Sequence, residues 1–173
     1  MMNVFAQNPT NQKTLVIAVG NDILGDDAVG LHAARALRSD IGACIDILEA
    51  SGTGFALMDL MEGYDNVLLI DSIITENTRP GTIHQFTRAD FQDTVASSPH
   101  YTGIPELFQL ANQLNIPFPR NFLILAMEIE KDFTFREGLT EPVEKSLPDL
   151  TDKVKAILRS WNLNQNVPHV SSD

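Results

Sequence analysis

Three aspartates and three glycines fall within the twelve residues Val19 to Gly30 (VGNDILGDDAVG), directly after the apolar run TLVIA. A further aspartate, Asp71, follows the apolar run NVLLI, and a histidine, His100, sits in SSPHYTG, where Ser98, Pro99 and Gly103 mark a loop. Two carboxylates and an imidazole make a mixed N/O donor set suited to a borderline divalent ion such as zinc or nickel, with positions left open for water or substrate. Each residue also has a plainer reading. Asp26 or Asp27 can cap the helix that follows, since a carboxylate there accepts backbone N–H bonds and opposes the helix dipole. Asp71 can be a turn-forming strand end, although an ionised group beside NVLLI must be desolvated or find partners. A loop histidine can be mere surface.

Other chemistries fit less well. GNDILG lacks the spacing G-x-G-x-x-G and the ending G-K-[ST], and Asp22, Asp26 and Asp27 would repel a pyrophosphate. Helix-borne HExxH is absent, and Ser51 in EASGTG does not sit in G-x-S-x-G. Cys44, the single cysteine, lies in an apolar stretch and reads as a small core residue; alone it excludes an internal disulfide or a multi-cysteine metal site. His32 and His84 read as solvated or core-edge residues, and His169 lies near the chain end.

These groups need a scaffold, and the length of 173 residues with 43% hydrophobic and 20% charged residues is that of one globular domain. A net charge of −11 disfavours nucleic acid and anionic lipid as partners. No apolar run approaches the roughly 20 residues that span a bilayer, and the first residues lack a basic segment followed by an apolar one, so a cytoplasmic location and no membrane partner are expected.

TLVIAVG (14–20) reads as a strand buried on both faces, and DAVGLHAARALRS as a helix. ACIDILEA is a second strand, GFALMDLMEGY a short helix and NVLLIDSI (66–73) a third strand. TIHQFTR alternates like an edge strand, open to an antiparallel direction; GIPELFQLANQL is helical and NFLILAMEIE a fifth strand. Pro142 to Trp161 closes the chain as a helix with one apolar stripe. The alternation predicts one three-layer α/β/α domain over 14–161, with a mostly parallel five-stranded twisted sheet and helices on both faces. Segments 1–13 and 162–173 are expected to be loosely ordered tails. If the strand order begins 2-1-3, the first and third strands are neighbours and their acidic ends share one crevice.

AVGNDILGDDAVG, LLIDSI and SPHYTGIPELF, in this order and spacing, closely resemble the [NiFe]-hydrogenase maturation endopeptidases. EASGTGFALMDLM, PGTI and GLTEPVE are similar to the family's second glycine-rich turn, hairpin and start of the last helix, so the likeness runs from about Thr14 to Trp161. The resemblance implies a peptidase that removes a C-terminal extension from the hydrogenase large-subunit precursor once nickel has been inserted. It carries the metal-contacting positions onto Asp27, Asp71 and His100. Nickel would come from the precursor, with zinc or cadmium able to substitute in vitro, and a monomer is expected. Several relatives have glutamate where this chain has Asp27, and other residues where it has Glu49 and Ser51, in a turn thought to discriminate partners. Two other classes stay open: a metal-sensing maturation chaperone that cuts nothing, and a nucleotide- or sugar-phosphate-binding α/β enzyme. A spore-type endopeptidase of related fold fits the spacing less closely.

Overall fold

The computed structural model describes residues 12–41, 45–51, 55–90, 113, 117–132 and 134–164. Five strands, β1 (Thr14–Val19), β2 (Ile45–Ala50), β3 (Asn66–Ile73), β4 (Ile83–Thr87) and β5 (Asn121–Glu128), form one sheet in the order β2-β1-β3-β5-β4. All neighbours are parallel except β4, which pairs antiparallel with β5 at the edge. The order begins 2-1-3, so the sheet's switch point lies between β1 and β3.

Period-two alternation divides the strand residues between two cores. Val16, Leu68, Ile70, Leu125 and Met127 pack with α1 (Val29–Leu37) and α3 (Glu141–Asn164). Leu15, Ile17, Val67, Leu69, Ile124 and Ala126 pack on the other face with Leu57 and Met61 of α2 (Phe55–Met61). Strands covered on both sides read as continuous apolar runs because neither face meets water. The described helices therefore occupy both faces, as expected.

Two boundaries differ from expectation. A 3-10 turn, Gly25–Ala28, precedes α1, so the helix proper begins at Val29. β3 spans Asn66–Ile73 as expected, and Asp71 lies inside it, which removes the plainer reading of Asp71 as a turn-forming strand end. α3 runs past Trp161 to Asn164, three residues into the stretch expected to be a tail. Cys44, the segment around His100, the helix expected over GIPELFQLANQL apart from Gln113, and most of both terminal stretches lie outside the described residues.

Two glycines aim the first loop at the switch point. A Cβ on Gly30 would stand 2.4 Å from the Val19 carbonyl oxygen and 2.6 Å from that of Ile70, so α1 starts directly over the β1–β3 seam. Gly20 has φ +155°, and a Cβ there would meet the Asp27 carbonyl oxygen at 2.2 Å. Only a residue without a side chain lets the loop fold back so closely onto the end of β1.

Candidate active site at the switch point of the sheet

Asp27 and Asp71 reach the carboxyl edge of the sheet from opposite faces. Asp71 belongs to the α2 face by strand alternation, and Asp27 lies in the turn that leads into α1. One residue joins them. Ser72 donates its hydroxyl to Asp27 Oδ1 at 2.8 Å and its backbone N–H to Asp71 Oδ1 at 2.7 Å. Asp71 is 0% exposed, so its carboxyl has left water for an environment made by the fold. Asp27 is half-buried, and among the described residues its Oδ2 has no hydrogen-bond partner.

Asp26 does a different job. It is 6% exposed and accepts Thr140 N–H on Oδ1 at 2.6 Å and the Thr140 hydroxyl on Oδ2 at 2.7 Å. Both oxygens are thereby engaged with the residue that precedes α3. The capping expectation fails for this pair: neither the 3-10 turn nor α1 has a side-chain cap hydrogen bond. A partner 114 positions away in sequence takes the carboxylate that local capping would have used.

The loop is fastened on two further sides. Gly25 N–H donates to the Arg136 carbonyl at 2.8 Å, and Arg136 N–H to the Ile23 carbonyl at 3.0 Å, forming a short parallel bridge. Ile23 and Phe135 remain exposed beside it. On α1, Arg35 makes a two-pronged ion pair with Asp22 at 2.7 and 2.8 Å and reaches Glu49 at 2.7 Å, while Arg38 binds Glu49 at 3.1 Å. The Arg35 hydrogen bond holds the carboxyls of Asp22 and Glu49 below the usual carboxylate range, and Arg35 itself is raised. Glu49 lies within β2 and not in the turn where the sequence likeness placed it, and the end of that strand is thus tied to the loop carrying Asp22.

The described residues therefore bring Asp27 and Asp71 together through Ser72. His100 lies outside them, and no group of three His, Cys, Asp or Glu able to hold a metal ion occurs among them.

Sequence reasoning passed over Ser72, Glu128 and the true setting of His84. Glu128 ends β5 at 1% exposure and accepts five hydrogen bonds: Thr75 N–H at 2.7 Å and Glu76 N–H at 3.0 Å on Oε1, then the Thr75 hydroxyl at 2.7 Å, the Thr78 hydroxyl at 3.2 Å and His84 Nε2 at 2.9 Å on Oε2. Burial pushes the Glu128 carboxyl up, but the donors, led by the Thr75 hydroxyl, outweigh it and hold it below its ordinary range. His84 is partly buried on the edge strand β4, in keeping with the core-edge reading, and its Nε2 lies 2.9 Å from the buried Glu128 carboxylate. The signal was an ionisable residue ending the apolar run LILAM, the same signal that marks Asp71.

A doubly wound α/β sheet with carboxylates converging at its β1–β3 switch point defines a protein that acts on a ligand held at the carboxyl edge. Comparison with known proteins narrows this class. A family model described as hydrogenase maturation protease (HycI) matches residues 31–157. The Hydrogenase 2 maturation protease of Escherichia coli (strain K12) is 28% identical over 153 residues, covering 85% of this chain and 91% of the relative. The hydrogenase expression/formation protein HupD of Rhizobium leguminosarum bv. viciae is 22% identical over 160 residues, covering 90% and 78%. Among solved structures, the hydrogenase maturating endopeptidase HybD from E. coli superposes with a TM-score of 0.72 at 26% identity, over 86% of this chain and 93% of that one. The [NiFe] hydrogenase maturation protease HybD from Thermococcus kodakarensis shares the fold, with a TM-score of 0.69 at 20% identity over 84% and 99%. The chain belongs to the hydrogenase maturation protease family and is by that membership a peptidase.

Proposed function

We propose that the protein removes the C-terminal extension of a [NiFe]-hydrogenase large-subunit precursor after nickel insertion, and that Asp27, Asp71 and His100 recognise the nickel carried by that substrate. The observation that carries this reading is the meeting of Asp27 and Asp71 on Ser72, at 2.8 and 2.7 Å. Two carboxylates held by one residue at the carboxyl end of the sheet favour a cation and disfavour a phosphate. Aspartate and histidine together form a donor set that nickel accepts, with zinc or cadmium as substitutes in vitro.

The contribution of each residue follows from its bonds. The Ser72 hydroxyl holds Asp27 through Oδ1 and leaves Oδ2 for the substrate's ion, while the Ser72 N–H holds Asp71 through its Oδ1. Asp26 and Thr140 keep the loop from moving as the cation arrives. A divalent ion beside the scissile carbonyl polarises it or acidifies a water for attack. Aspartate in place of glutamate at position 27 brings the carboxylate one methylene closer to the backbone.

Ile23 and Phe135 favour a protein substrate over a nucleotide or sugar phosphate, since adjoining exposed apolar residues suit a protein surface. In this reading the protein works as a cytoplasmic monomer, without nucleic acid or membrane partners. No helix among the described residues is long and apolar enough to cross a membrane.

The test is incubation with a purified large-subunit precursor in nickel-loaded and nickel-free forms, followed by intact mass spectrometry. Loss of the C-terminal extension from the loaded form alone is expected. Equal cleavage of both forms would reject nickel as the recognition element, and binding without cleavage would establish the chaperone instead.

A further inference from the structure

Glu128, Asp71 and His84 lie on one face of the sheet. Asp71 pairs with Ala126 on β5, Ala126 pairs with His84 on β4, and Glu128 stands opposite Ile73, two residues beyond Asp71. The five donors to Glu128 come from β4 and from the segment that leaves β3, residues 75–78. That segment carries Glu76 at φ +59°, the single non-glycine residue with positive φ among those described, and its N–H is one of the five. A left-handed residue persists where the surroundings over-determine it. The Glu128 carboxylate is what holds it, because its two oxygens gather the donors of one turn to a single point.

This turn begins three residues after Ser72. Ile129 N–H also donates to the Ile73 carbonyl at 2.9 Å, so the chain leaving Ser72 is tied to the end of β5 by backbone and side chain together. A carboxylate with a lowered pKa accepts, so His84 carries its proton on Nε2 and donates it to Glu128. The imidazole is stacked on Phe86, with ring centroids 6.1 Å apart and planes 11° from parallel, which fixes the direction of that N–H.

We propose that Glu128 and His84 are positioning residues of the peptidase reaction: they clamp the end of β3 to β4 and β5 and so hold Ser72 where it joins Asp27 to Asp71. The inference rests on the reading of Asp27 and Asp71 as the site. Neither residue touches the substrate; each acts through Ser72.

Two measurements on the full-length chain test it. In hydrogen exchange, Glu128→Gln and His84→Ala should each make the Ser72 N–H exchange at least about tenfold faster, through local opening of the strand end. In processing of the nickel-loaded precursor, the same variants should lower kcat about 10- to 100-fold with KM little changed, the scale expected when a ligand's supporting bond is lost. His84→Gln, whose side-chain amide can donate from nearly the same place, should restore both readouts, which a loss of bulk stability would not allow. If Glu128→Gln fails to fold, the His84 pair carries the test. Unchanged Ser72 exchange, or faster exchange with unchanged kcat, would overturn the clamp. Full activity of Asp71→Asn would instead overturn the site reading, while the exchange result would still report on the clamp.

Discussion

Asp71→Asn is expected to slow processing of the nickel-loaded precursor by more than about a hundredfold, beyond the loss typical of a supporting residue around a metal. Stability should change by no more than about 1 kcal/mol, because asparagine keeps the shape and an oxygen able to accept the Ser72 N–H. Asp27→Asn and His100→Ala should slow processing in the same way. Asp26→Ala should show the reverse: two donors of Thr140 lose their acceptor, stability falls by about 2 kcal/mol, and processing by the folded fraction is affected less. Thermal melting and a mass-resolved time course separate the two aspartates. Full activity in any two of the Asp27, Asp71 and His100 variants would discard the three-ligand proposal.

The second large effect falls on stability. Gly30→Ala drives a methyl to within 2.4 Å of the Val19 carbonyl oxygen and 2.6 Å of the Ile70 carbonyl oxygen. Both are backbone atoms at the seam between β1 and β3, so neither can rotate away. α1 must lift from the sheet, and overpacking of this kind costs about 3 kcal/mol. For a chain of this size that lowers the melting temperature by about 10 °C. Because the same helix carries the Asp27 turn, the surviving folded fraction should also process precursor more slowly than wild type at a temperature where both are folded. A variant that melts with wild type would show that α1 does not press on the seam.

The architecture was legible because each apolar run declares its own burial. LVIAV (15–19) and VLLI (67–70) carry no polar residue because both their faces are covered, whereas TIHQFTR alternates because β4 lies at the edge. The placement of Asp27 and Asp71 at the same end of the sheet, beside the β1–β3 seam, followed from strand order. What stayed hidden was set by partners distant in sequence. Asp26 and Asp27 are equivalent as neighbours in a string, and they divide only when Thr140 arrives to occupy one of them. Helix capping is the locally favoured use of such an aspartate, and a tertiary hydrogen bond displaced it. Glu128 and His84 escaped for the same reason: their bond spans 44 positions and joins two strands whose pairing no local pattern displays. Ser72 drew no notice in the sequence, yet its alternation to the α1 face is what lets its hydroxyl reach Asp27 while its N–H reaches Asp71.

The central claim is that Asp27, Asp71 and His100 close around one cation at the edge of the sheet, and the most direct measurement is anomalous scattering from crystals grown with cadmium or nickel. The account predicts a single ion at the β1–β3 switch point, touched by the carboxylates of Asp27 and Asp71 and by the imidazole of His100. An ion seated elsewhere, with the three side chains too far apart to share it, would contradict the account.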